Sequence, residues 1–218
     1  TSRINLKIRS DVESEINGMG PVIRKEDLEL LYEQLDTLKD DDVLVLAGSI
    51  PSGMPQSIYR DIMSRLQSKR IKIAVDATKD LLMNVLAYHP FVIKPNNHEL
   101  SEIFDIMIDS KENAVVYAKE LQKRGAQNVI VSMAGEGAVF VGSDGSVFTS
   151  EAPHGVVKNS VGAGDSMVAG FLAGYLAKGD YAEAFKMGLC TGSASAFSDQ
   201  LATREEVEQV RRSHIFDF

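Results

Sequence analysis

"VLVLAGSIPSGMPQSIYRDIMSRLQSKRIKIAVDA", residues 43–77, holds two short apolar runs on either side of a glycine- and proline-marked loop and a segment with Ile58, Ile62 and Leu66 at helical spacing. "VLVLAG" and "IKIAVDA" are each too short for a helix and apolar on both faces, so both predict buried strands. Between them the spacing predicts a helix from about Gln56 to Gln67. Strand, helix, strand is the unit from which parallel sheets are built.

The same alternation extends in both directions. Upstream, Leu28, Leu31, Leu35 and Leu38 place one apolar face on a helix from Lys25 to Leu38. Downstream come a helix near Asp80 to Leu86, a strand at "FVIKP", helices from Asn97 and from Glu112, and a strand at "NVIVSM". Strands at 137–141 and 146–149, joined through "SDGS", predict a hairpin added to the sheet, and three helices close the chain. Because the strands are apolar on both faces they need helices on both sides, which predicts a three-layer α/β/α sandwich with a mostly parallel central sheet. Residues 3–9 and 12–16 read as two further short strands, with Ile4, Leu6 and Ile8 on one face, before "NGMGP" breaks the pattern.

Composition agrees with one globular unit: 218 residues, 44% hydrophobic and 25% charged, enough to bury about 70% of the unfolded surface. A net charge of −8 argues against general affinity for nucleic acid or an anionic membrane, so any anionic ligand must be caught locally. A single cysteine, Cys190, allows no internal disulfide and is expected to be an inert buried thiol. With no apolar run of about 18 residues and no signal-peptide core, the expected compartment is cytoplasmic. His89, His98, His154 and His214 show no metal spacing. Thr203 followed by Glu206 predicts a capping box for the last helix.

In an open parallel sheet, ligands sit beyond the carboxyl ends of the strands. The loops there share a character: "AGSIPSGMP", "KPNNHE", "MAGEG" and "KNSVGAGD". Each alone is also ordinary turn composition. In the last, Gly162, Ala163 and Gly164 let the backbone turn its N–H groups to one point, and the helix that starts there adds the positive end of its dipole. Asp165 at the rim can take a proton from a hydroxyl while the amides hold charge developing on a phosphate; equally, an acid there stabilises a helix N-terminus by about 1 kcal/mol. No G-x-x-x-x-G-K-[ST] occurs, and Met167 occupies the third glycine position of the dinucleotide fingerprint, so neither common phosphate motif is present.

"NSVGAGDSMVAGFLAG", residues 159–174, closely resembles the second signature of the ribokinase-like sugar kinases, the PfkB group. "SRINLKI", "ESEINGMGP", "LAGSIPSGMP", "IKPNNHEL", "VSMAGEGAV" and "GSASAFS" followed by "LAT" support the same resemblance, in the family's order and over nearly the whole chain. The resemblance implies a ribokinase-like sandwich with a small β lid, divided as lid strands at 1–17 and a nucleotide- and sugar-binding domain at 18–218. It implies transfer of phosphate from ATP, with Mg2+, to a phosphosugar. Ser160 and "SASAFS" favour fructose 1-phosphate, giving fructose 1,6-bisphosphate, over tagatose 6-phosphate as acceptor.

Carried over by position, Asp165 is implied as the base and Gly162, Ala163 and Gly164 as the anion hole. Asn96 and Glu99 match the family's N-x-x-E element near magnesium and the phosphates, through water; the same pattern is a helix capping box, and both readings can hold together. Lys94 either faces the phosphates or lies solvated. Arg3 and Asn5 are implied to reach the phosphate already on the substrate, a task that suits the guanidinium fork. Gly48 and Ser49 are implied near the sugar, Ser132, Gly135 and Gly137 beside ATP, and Ala194 and Phe197 on the adenine side, although an Ala or Phe at helical spacing is also core. An exposed lid sheet is expected to pair with a copy of itself in a homodimer.

The chain opens without Met, inside a strand region, and family members carry an N-terminal third that does not precede Thr1, so a fragment of a longer chain is expected, with the possibility that it only binds nucleotide. The remaining alternatives are a non-catalytic relative that binds phosphosugar or nucleotide, which retention of Asp165 argues against, and a dinucleotide oxidoreductase, which lacks its fingerprint.

Overall fold

A computed structural model describes residues 4–8, 14–18, 20–51 and 53–218. Two antiparallel strands, β1 (Asn5–Ile8) and β2 (Ser14–Asn17), pair with Asn5 opposite Asn17. Next come α1 (Lys25–Asp36), β3 (Val43–Ala47), α2 (Ile58–Leu66), β4 (Lys72–Asp76) and a short α3 (Lys79–Met83). They are followed by β5 (Val92–Ile93), α4 (Asn97–Phe104), α5 (Lys111–Lys123) and β6 (Asn128–Ser132). The hairpin β7 (Ala138–Val141) and β8 (Val147–Ser150) precedes three helices, α6 (Ala163–Lys178), α7 (Tyr181–Phe197) and α8 (Arg204–Ser213).

The main sheet runs in the order β3-β4-β5-β6-β7-β8, parallel as far as β6 and antiparallel after it. Strand periodicity divides its side chains between two cores. Ile73, Val75, Ile93, Val129, Val131 and Val139 pack with Ile62, Leu66, Leu100 and Leu121 from α2, α4 and α5. Ala74, Val92, Ile130 and Phe140 point the other way, onto Val168, Phe171, Phe185 and Leu189 of α6 and α7. The sheet is therefore the middle of three layers, as its doubly apolar strands require. Among the described residues no helix is long and apolar enough to cross a membrane.

Several elements are a residue or two shorter than the sequence pattern suggests, and two of the differences have an evident cause. In "FVIKP" only Val92 and Ile93 make the ladder, because Pro90 and Pro95 flank it and neither has an N–H to donate. The helix expected to run to Leu86 stops at Met83, and a 3₁₀ turn at Leu86–Tyr88 ends in a left-handed His89 (φ 55°), whose Nδ1 lies 3.0 Å from the Gly125 carbonyl. The β7–β8 loop closes through Gly142 N–H to the Ser146 carbonyl at 2.8 Å. Cys190 is buried, and burial pushes its thiol up to about 11.

Helix α6 lies so close to α7 that a Cβ on Gly170 would stand 2.6 Å from the Met187 carbonyl oxygen, and one on Gly174 2.9 Å from the Ala184 Cα. The neighbours are backbone and cannot step aside, so Gly170→Ala is expected to lower unfolding stability by about 2 kcal/mol in urea titration. Gly145→Ala, in the β7–β8 loop at φ +86° with open space around it, should cost only about 1 kcal/mol, all of it backbone strain.

Candidate active site

The ends of β3, β4 and β5 meet the head of α6. Val75 is registered against Ile93, so the next residues, Asp76 and Lys94, emerge side by side, and alternation from Ala74 and Val92 turns both toward α6. Their side chains pair at 3.3 Å between Lys94 Nζ and Asp76 Oδ1. Lys94 is 7% exposed, so the alternative of a solvated lysine is settled against. Its Nζ would lie 3.1 Å from a Cβ on Gly164 and so sits beneath the first turn of α6.

The loop before α6 is anchored to the end of α7. The N–H groups of Lys158 and Asn159 both donate to the Ala196 carbonyl, at 2.8 and 3.1 Å, and the Asn159 side chain takes the Val161 N–H at 3.1 Å. Gly162 is left-handed (φ 79°) at the N-cap and its carbonyl accepts from Ser166 N–H at 2.8 Å, starting the helix. The Ala163 N–H is used within the turn, donating to Ser160 at 3.2 Å. Among the described residues the amides of Gly164 and Asp165 have no backbone acceptor, as the first turn of a helix dictates. A buried bond from Ser195 Oγ to Ser166 Oγ at 2.8 Å ties this turn to α7 again.

Asp165 stands exposed on the same turn, over a cleft of about 310 Å³ lined also by Val45, Ala47, Gly48, Asp76, Val168 and Ala169. Gly48, at φ +84°, opens onto space, and its N–H donates to the Asp76 carbonyl at 3.1 Å. The Tyr59 hydroxyl donates to the carbonyls of Ala47 at 2.7 Å and Gly48 at 3.1 Å, pinning the loop that carries Ser49. Burial raises the Asp76 carboxyl above its usual range; the Lys94 ammonium pulls it back down and the nearby Asp165 adds to the rise. Burial raises Glu99 as well, against a hydrogen bond from the Asn96 N–H.

Asn96 and Glu99 form a full capping box on α4, Asn96 Oδ1 accepting from Glu99 N–H and Glu99 Oε2 from Asn96 N–H, both at 2.8 Å. Thr203 and Glu206 make another on α8. Ser132 lies next to Asn96 across a parallel bridge and donates its N–H to Pro95 at 3.1 Å. Gly135 is exposed in the following turn. Gly137, at φ +91°, is buried where a Cβ would stand 2.0 Å from the Ser150 carbonyl oxygen, so its conformation serves the entry into β7.

The expectation that Ala194 lines the adenine side is corrected: it is 1% exposed and packs with Cys190, Val207 and Val210 in the core between α7 and α8. Phe197 is half-buried, its ring against Gly155. Asn5 lies on β1 of the two-stranded sheet, and Arg3 lies outside the described residues. The residue that sequence reasoning passed over is Asp76. Its signal was a lone acid closing an apolar strand, on the side opposite Val75. Among the described residues no group of three or more His, Cys, Asp or Glu side chains could hold a metal ion.

A family model for pfkB family carbohydrate kinases matches residues 3–206. The chain is 44% identical over 209 residues to the 1-phosphofructokinase of Bacillus subtilis, spanning 96% of this chain and 69% of that protein. To the D-tagatose-1-phosphate kinase of Bacillus licheniformis it is 30% identical over 209 residues, 95% of this chain and 68% of that one. A solved structure of Escherichia coli phosphofructokinase-2 in complex with substrates and products superimposes with a TM-score of 0.87 at 25% identity, over 95% of this chain and 69% of the other.

The two outer glycines of the loop should respond differently to a methyl group. Gly162→Ala forces a left-handed alanine toward Leu201 Cδ2, 2.8 Å away, and is expected to cost about 1–2 kcal/mol. Gly164→Ala meets only the flexible end of Lys94 and gains helix propensity, so its stability should change by less than about 1 kcal/mol in thermal denaturation.

Proposed function

The chain belongs to the pfkB family of carbohydrate kinases, and from that premise we propose that it transfers the γ-phosphoryl group of ATP to the free primary hydroxyl of a ketohexose 1-phosphate, fructose 1-phosphate becoming fructose 1,6-bisphosphate. One observation carries the reading: a carboxylate, a buried ammonium and the amide-bearing head of a helix converge beside an open cleft at the strand ends. The relatives' names support a 1-phosphate acceptor, since the tagatose kinases among them also act, by name, on the 1-phosphate. Tagatose 6-phosphate would have to accept at C1 instead. Arg3, Asn5, Gly48 and Ser49 are assigned to the acceptor, and Ser132, Gly135 and Phe197 to the nucleotide.

In the proposed reaction the acceptor oxygen attacks the γ-phosphorus, the bond to the β-phosphate oxygen breaks and ADP leaves. The hydroxyl proton passes to Asp165. Phosphoryl transfer is largely positioning and charge neutralisation, so Gly162 and Gly164 would act by aiming amide N–H groups, with Lys94, at the moving group, and the base is needed only late. Asn96 and Glu99 fit a water-mediated magnesium site: the cap uses one oxygen of each, and the carboxylate still has a second for a water of an ion that rides on phosphate oxygens. When bound, magnesium would neutralise phosphate charge.

The exposed face of the lid, with Ile4 at 79%, Leu6 at 54% and Ile16 at 58% exposure, supports closure against a second copy. Sedimentation should then show a dimer that Leu6→Lys converts to monomer; a monomeric unaltered protein would contradict it.

For the chemistry, Asp165→Asn in the intact protein is the deciding variant, because Asn keeps the shape of Asp and gives up only its charge in the first turn of α6, worth less than about 1 kcal/mol at an exposed position. With ATP and fructose 1-phosphate, kcat should fall about 100-fold or more while the melting temperature holds. Unchanged turnover removes Asp165 as base, and no turnover by the unaltered protein on any ketohexose phosphate removes the kinase reading.

A further inference from the structure

Helix α6 presents the positive end of its dipole beside a buried ammonium, an arrangement that is unfavourable unless an anion lies between or near them. In the chain itself that anion is Asp76, whose Oδ1 is 3.3 Å from Lys94 Nζ, with the two side chains only 18% and 8% exposed. Two other carboxylates act on the same group of charges. Asp165 lines the cleft with Asp76, and Glu99 feels both Lys94 and Asp76. A lysine in this position has competing partners, and its four-carbon stem is flexible enough to choose among them.

We propose that Asp76 is a positioning residue: it holds the Lys94 ammonium beneath Gly164, beside the amides of the α6 head so that both can face one anion, and keeps it from turning to Asp165 and neutralising the base. The assignment rests on the kinase reading for its consequence in turnover. The geometry behind it comes from strand register: Asp76 and Lys94 are the residues after the registered pair Val75 and Ile93 on adjacent parallel strands, so the sheet itself sets their separation. Gly164 then completes the enclosure, because any side chain there would push the ammonium away. Asp76 acts on the anion only through Lys94, and the two form one functional unit.

A double-mutant cycle tests this, read both as kcat and as the Kd for ATP by calorimetry. Asp76→Asn should lower kcat about 100-fold, the scale of a misplaced catalytic group, and weaken ATP about tenfold, while leaving KM for the phosphosugar within about twofold. Lys94→Gln should lose at least as much. The double variant should be no worse than Lys94→Gln by more than about threefold, because removing either member already abolishes the unit. If Asp76→Asn is too unstable to assay, Asp76→Glu, which keeps the charge but displaces it by one methylene, takes its place in the same cycle.

Losses that multiply in the double variant, a silent Asp76→Asn, or a rise confined to KM for the phosphosugar would each overturn the proposal, the last by making Asp76 a direct contact of the acceptor. An ATP-binding cycle that shows the coupling in a protein that phosphorylates no phosphosugar would sink the kinase reading and leave this assignment standing. An unaltered protein that binds no ATP overturns both.

Discussion

The head of α6 is kept bare, and the close packing of α7 against it serves that end. A helix start exposes N–H groups that neighbouring side chains ordinarily satisfy. Here the N-cap is Gly162, which has no side chain to bond back, and the second position is Gly164, which leaves room for the Lys94 ammonium. The turn still has to be held in place, and α7 does this with backbone. Its Ala196 carbonyl takes two amides of the preceding loop, and Gly192 lets the helix approach so closely that a Cβ there would lie 3.1 Å from the Ala163 carbonyl oxygen. The glycines of the α6–α7 interface and those of the loop thus answer to one requirement: a fixed backbone whose donors stay unspent.

The layer order was legible because it depends on a period. Strands that alternate between two buried faces announce helices on both sides, and Ile73 and Val75 against Ala74 divide between the two cores as that rule requires. The glycine loop was legible because small residues before a helix leave backbone N–H groups free to turn to one point at its positive end. The shortness of β5 was present in the sequence too, in Pro90 and Pro95, but an apolar run outweighs its flanking prolines when read by hydropathy alone. Asp76 showed in the sequence only as a lone acid closing an apolar strand. Its meaning lies in the register of β4 against β5, a long-range fact that no local pattern of residues 72–77 encodes. Ala194 failed for the opposite reason: the resemblance put it near a ligand, while its own helix turns it into the core against α8.

The N-x-x-E element caps α4 in a way that leaves room for the second role proposed for it. Capping engages Asn96 Oδ1 and Glu99 Oε2, and each group has a lone pair or an oxygen left over. The cap fixes both side chains at the end of β5, so a residue pair that a helix needs for stability is also pre-organised for whatever stands beyond the strand ends.

A protein with a net charge of −8 has no long-range attraction for a phosphate, so whatever selectivity the cleft has for anions must be built from short-range groups. Neutral amides and one buried lysine meet that condition at modest cost, because the amides carry no net charge and the lysine is balanced by Asp76 until a stronger anion competes for it. An unbalanced lysine at the same depth would instead be free to swing to another carboxylate, and the other one lining the cleft is the proposed base. The buried pair therefore matters less for the stability it adds, which for such pairs is small, than for the partner it denies to Lys94.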